Sequence, residues 1–216
     1  MNPNSKIPAA MHYVEGRAPV RLFESASIML YLAELHEAFI PPRTDAHGRA
    51  EVLNWLFWQM SGQGPMTGNY GHFMVYAPDD KGAARDYGVA RYGMEVQRCC
   101  SVLENRLASV NSDDSSAYLV NNTYSVADMA CFPWVHQLLV GYNHVLEGSE
   151  SESSAMTTTA DFLSINSEQY PHLMRWHDAI EGRLAVKRGL LVCPFSNKFG
   201  TKPWMHPDWV DVRVTT

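Results

Sequence analysis

Residues Val20 to Glu34 read VRLFESASIMLYLAE. Val20, Leu22 and Phe23 have the alternation and residue types of a short strand. From Ile28 the apolar residues Met29, Leu30, Leu32 and Leu35 follow helical spacing, so the spacing predicts a helix that starts at Glu24-Ser25. Ser25 is the natural residue to cap that helix. Free backbone N–H groups and the positive end of the helix dipole meet at such a corner and suit a carboxylate. Glu24 beside them suits an ammonium. A ligand carrying both charges on one carbon, an α-amino acid head group, fits the pair. The alternative is a capping serine beside a solvated glutamate, because capping residues are common at helix starts.

Outward from the corner, residues 2–9 read NPNSKIPA. Ile7-Pro8 opens a second extended run over Ala9 to Tyr13, and Glu15-Gly16 supplies a turn before Val20. NPNSKIPA followed by FESASIMLYLAE resembles the thioredoxin-like domain of glutathione transferases, in particular the nu-class, disulfide-reductase-like branch. In that family the bond before the equivalent proline is cis. Its exposed backbone pairs with the cysteinyl part of glutathione in strand-like fashion, and the Glu-Ser corner takes the γ-glutamyl head group. The resemblance therefore implies a glutathione site made of the Ile7 and Pro8 backbone, Glu24 and Ser25.

The family domain begins with a strand–helix–strand unit ahead of this point, whereas the sequence opens at it. A fragment, an internally started gene model or a shortened relative are the readings that follow. The family's sulfur-activating residue lies in that unit, and no residue here matches it, so the catalytic residue is unassigned.

Composition narrows the remaining classes. The chain has 216 residues, 46% of them hydrophobic and 19% charged, with a net charge of −6. That is globular, and no Lys/Arg cluster tracks a phosphate backbone, so no nucleic-acid partner is expected. No apolar run reaches membrane-spanning length and no signal pattern opens the chain. The cysteines Cys99, Cys100, Cys131 and Cys193 show neither a CxxC nor a metal spacing. A cytoplasmic protein without a metal is expected.

Past the prolines of FIPPRTD (Phe39 to Asp45), helical periodicity takes over. The expected division is a partial thioredoxin-like domain over 1–40, a linker over 41–46 and an all-helical domain over 47–216. The fold class is thus α+β but mostly α: a truncated thioredoxin-like subdomain followed by a helical glutathione-transferase C-terminal domain. AEVLNWLFWQM (Ala50 to Met60) reads as an apolar helix, whose Trp55, Phe57 and Trp58 serve the core or a dimer contact. Gly62, Gly64 and Pro65 are expected to interrupt it, and Met66 to Pro78 to bend or loop. A functional reading puts Tyr70, His72, Phe73 and Tyr76 around an open cleft for a second substrate.

Arg85 to Leu107 is a long helix with an inner stripe of Val89, Tyr92, Val96, Leu103 and Leu107. Its MEVQRCCSVLENRL resembles the family helix whose arginine reaches the glutathione site, which makes Arg98 a candidate for a ligand carboxylate. Without the resemblance Arg98 is a surface arginine paired with Glu95. Adjacent Cys99 and Cys100 point about 100° apart on a helix and read as buried thiols. Ser125 and Asp128 stand at capping-box spacing, with Tyr124 and Met129 able to form a staple; the family has this box at the start of its central helix, where its acid is structural. Pro133 falls inside that helix and should kink it. GSESESSAMTTT within 147–160 reads as a polar insertion, and RLAVKRGL (Arg183 to Leu190) matches the family's closing pattern.

Taken together, the resemblance implies a cytosolic homodimer that uses glutathione as cosubstrate against a small electrophile or a disulfide. The activity it implies is glutathione-dependent disulfide-bond reduction or transfer. The alternative is a non-catalytic binding or scaffold module.

Overall fold

The computed structural model of the chain describes residues 2–77, 81–110, 117–141 and 159–192. Strands β1 (Ala9–His12) and β2 (Val20–Phe23) pair antiparallel, with Ala9 opposite Phe23 and His12 opposite Val20. They form a two-stranded sheet. Such a hairpin is marginal alone and needs a helix on its face. Helix α1 (Ser25–Leu35) supplies it, packing on both strands. The Tyr31 hydroxyl and the His12 ring nitrogen share a hydrogen bond of 2.8 Å.

Prolines 41 and 42 lead into α2 (Ala46–Trp58), whose N-cap Asp45 accepts a bond from the Gly48 N–H. Glu34, at the end of α1, pairs with Arg43 and Arg49 of this connection. Those two arginines hold the Glu34 carboxyl below its usual range.

The expected break after α2 does not occur. A π-turn over Gln59–Gln63 runs straight into α3 (Gly64–Gly71), and a second π-turn follows over His72–Tyr76. Proline has no N–H to give a helix and its ring crowds the preceding turn. Here Pro65 falls in the first turn of α3, just past the widened segment, so the backbone accommodates it without unwinding. α3 then packs against α4 (Ala83–Val110), the long helix expected from the pattern. Gly88 of α4 is needed there: a Cβ on it would stand 2.3 Å from the Phe73 ring.

Helix α5 (Val126–His136) runs through the middle of the helical part, touching α1, α2, α3 and a later helix, α7 (Pro171–Glu181). Pro133 lies on its exposed side, and the helix widens into a π-turn over Gln137–Gly141. Short helices α6 (Thr159–Phe162) and α8 (Leu184–Leu190) complete the described chain.

One core joins both parts. Ala26 and Ala33 of α1 belong to the same buried cluster as Leu56, Leu103, Val135 and Trp176. The free thiols of Cys99, Cys100 and Cys131 are buried in it, and burial pushes the Cys100 thiol up to about 12. No helix among the described residues is long and apolar enough to cross a membrane. Most of the polar insertion expected within 147–160 lies outside the described residues.

Candidate functional site

Where β2 ends, the chain turns through Glu24 into α1. Glu24 has φ 69° and ψ 124°, a left-handed φ that costs a non-glycine residue about 1–3 kcal/mol. This corrects the expected cap. Glu24, not Ser25, holds the N-cap position, and it makes no side-chain capping bond. The capping geometry needs extended backbone at the cap residue, which a positive φ does not provide. Ser25 is instead the first helical residue, and its hydroxyl points at the Met60 sulfur, 3.9 Å away. The first N–H groups of α1 have no acceptor within the helix.

The register of the sheet brings the other expected feature to the same place. The Ile7–Pro8 bond is cis. Since Ala9 pairs with Phe23, Pro8 and Glu24 are the next residues outward along the two strands. Ile7 is 95% exposed there.

Next to this corner lies an open cleft of about 850 Å³ lined by Lys6, Ser25, Gln59, Met60, Asn69 and Trp134, among others. Its wall is the first π-turn and the start of α3. A Cβ on Gly64 would stand 2.7 Å from the Gln59 amide nitrogen and 3.2 Å from the Gln59 carbonyl oxygen, so Gln59 would have to shift to admit one. Gly64 and Gly68 also present bare backbone to the Trp134 ring, which a Cβ on either would meet at 3.4 to 3.5 Å. Trp134 comes from α5, so the cleft is built between the strand–helix corner and two helices of the helical part.

Arg98 does not line this cleft. Its guanidinium is ion-paired with Glu95 at 2.9 Å, and Arg91 holds the same carboxylate at 3.0 Å. The two arginines pull the Glu95 carboxyl below its usual range.

Of the residues expected around a second-substrate cleft (Tyr70, His72, Phe73 and Tyr76), Tyr70 and Phe73 pack inward. Tyr70 is fully buried in the core. Phe73 stacks on Tyr92 of α4, with ring centroids 5.6 Å apart. His72 is exposed and meets Phe73 edge-on, and the Tyr76 side chain lies outside the described residues. Because the segment stays helical, Tyr70 and Phe73 turn inward on α4.

Ser125 and Asp128 form a complete capping box at the start of α5. The Asp128 carboxylate accepts from the Ser125 N–H at 2.9 Å, the Leu119 N–H at 3.0 Å and the Trp176 indole at 2.9 Å. It is a buried structural acid. Burial raises its pKa, and the donors pull the other way.

Residues 86–179 match the family profile for the glutathione S-transferase C-terminal domain. The chain is 36% identical over 193 residues to the disulfide-bond oxidoreductase YfcG of Escherichia coli (strain K12), an alignment covering 88% of this chain and 74% of that protein. The chain belongs to the glutathione S-transferase family. Another family member, the disulfide-bond oxidoreductase YghU of the same organism, is 36% identical over 192 residues, 89% of this chain. The chain spans 57% of the length of that relative. Among solved members, a glutathione transferase from Burkholderia graminis with two glutathione molecules bound per subunit matches with a TM-score of 0.70. It is 34% identical, and the match covers 92% of this chain and 70% of that one. These matches agree with a thioredoxin-like part followed by a helical C-terminal domain.

Sequence reasoning named Glu24, Ser25 and the Ile7-Pro8 pair but missed Lys6, Gln59, Met60, Asn69 and Trp134. One signal was present. Gln59 and Gln63 are polar residues that interrupt an apolar helical run, and both are buried, Gln59 in the lining of the cleft.

Proposed function

We propose that this transferase-family chain binds glutathione at the corner formed by Pro8, Glu24 and Ser25, and that the protein reduces disulfides with it. The observation that carries this reading is the sheet register, which sets Pro8 across from Glu24 at the head of α1. The Ile7 and Pro8 backbone pairs with the cysteinyl part. Glu24 takes the ammonium and the open end of α1, with the Ser25 hydroxyl, takes the carboxylate. Arg98 is the candidate for the remaining ligand carboxylate, exchanging Glu95 for it.

The second substrate, a disulfide or small electrophile, occupies the cleft toward Met60 and Trp134. The glutathione thiolate attacks one sulfur of the disulfide and expels the other as a thiolate. A second glutathione then resolves the mixed disulfide, giving oxidised glutathione and the second thiol. The names of YfcG and YghU support the disulfide chemistry. The same reading makes the protein a cytoplasmic homodimer: its described cysteines are unpaired, and Phe57, Tyr87 and Met94 are exposed apolar residues on α2 and α4.

Calorimetric titration with reduced glutathione tests the site. Saturable binding is expected, weakened at least fivefold, about 1 kcal/mol, by Glu24→Gln, the scale of a lost charge-assisted bond. An unchanged affinity in that variant refutes the role given to Glu24, and no binding by the folded chain refutes the site.

A further inference from the structure

His136 is the last residue of α5, and His177 and Glu181 stand one turn apart on α7. The His136 Nδ1 lies 3.1 Å from the His177 Nε2 and 3.9 Å from the Glu181 Oε1. The ligating atoms of His177, Asp178 and Glu181 all fall within 4.8 Å of one another. We propose that His136, His177 and Glu181 form a binding site for one divalent transition-metal ion, with zinc the best-matched ion. This site lies outside the cleft described above and does not depend on glutathione.

Four observations carry it. The first is spacing. Metal–ligand bonds of about 2.0–2.2 Å set at tetrahedral angles separate neighbouring donors by roughly 3.3–3.5 Å. The two observed separations bracket that value. The two histidine rings are nearly parallel (11°), and binding requires the His136 ring to rotate so that both lone pairs meet at a common point.

The second is donor chemistry. Two imidazole nitrogens and one carboxylate oxygen are a borderline set that suits zinc and its neighbours rather than calcium or magnesium. The third is orientation. The Asp178 carboxylate lies 3.3 Å from the His177 Nδ1. In the tautomer with its proton on Nδ1 the carboxylate accepts that N–H and leaves the Nε2 as the ligating atom, the usual outer support of a metal-bound histidine. The fourth is preorganisation and access. Phe132, one turn before His136, packs its ring 5.3 Å from His136 and 5.2 Å from His177. His177 is buried, while the Glu181 side chain is 41% exposed. The site therefore has rigid walls and a mouth through which an ion and a fourth, water ligand can enter.

Protons balance without an external base. With the ion absent, one proton is shared between the facing nitrogens. When the ion binds, the His136 proton resides on Nε2 and the Nδ1 lone pair turns to the metal.

The test uses the whole chain, stripped with chelator and titrated with zinc chloride by calorimetry. Cobalt chloride, followed by visible absorption, serves as the spectroscopic probe. One ion per chain is expected, and the cobalt form should show bands of a four-coordinate nitrogen and oxygen site without thiolate charge transfer. His136→Phe preserves packing against Phe132, and Glu181→Gln alters a half-exposed side chain. Each should weaken zinc at least tenfold without loss of the folded state by circular dichroism. The proposal is overturned if no zinc binds, if a thiolate band dominates, or if both folded variants bind zinc like the parent chain.

Discussion

Glu24 combines a left-handed φ with the charge assigned to the ligand. Its φ of 69° is one that glycine adopts freely. Glu24→Gly should therefore stabilise the chain, by about 1 kcal/mol, while abolishing measurable glutathione binding. Urea unfolding beside calorimetry checks both halves. A destabilised Glu24→Gly would mean that the side chain, not the backbone, sets the energetics of the corner. Asp128 is the contrasting acid. Its carboxylate is used up by the Ser125 and Leu119 N–H groups and the Trp176 indole, which leaves it nothing to offer a ligand. Both positions were readable from local patterns: a strand–helix corner in one case, a capping box in the other. What was not readable was the φ of Glu24, because a sequence pattern locates a corner without fixing its dihedral angles.

At the scale of elements, the stretch from Ala46 to Tyr76 departs most from its sequence pattern. Three glycine and proline breakers stand within Gly62 to Pro65, yet the backbone stays helical through two π-turns. Breakers raise the cost of a helix by a few kcal/mol at most, and packing of α3 against α4 offsets that. The π-turn also sets Gln59 against Gly64. Gly64→Ala is expected to destabilise the chain by about 1–3 kcal/mol, since its Cβ would meet the Gln59 amide at 2.7 Å and the Gln59 carbonyl oxygen at 3.2 Å. Thermal unfolding of the variant measures this, and an unchanged midpoint would show that the Gln59 side chain yields freely.

At the scale of the molecule, the two parts share one core, and the connection between them is clamped at both ends. The Val126 N–H donates to the Phe39 carbonyl at 2.9 Å, and Glu34 binds the arginines that follow the prolines. The exposed face of α2 and α4 belongs to this scale too. Phe57 is 60% and Met94 61% exposed, which fits burial against a second copy. Light scattering should give twice the chain mass, with Phe57→Glu plus Met94→Glu reduced to the single mass. A monomeric parent chain would refute the dimer. The strands, the helix starting at the corner, the long α4 and the capping box follow from local patterns, because hydrogen-bond partners and side-chain periodicity there are local. Only the tertiary structure decided that Tyr70 belongs to the core, that Gln59, Met60 and Trp134 share a cleft with Ser25, and that His136 faces His177. Those outcomes depend on which helix faces meet across the chain, and packing of distant elements sets that, not the spacing of neighbours.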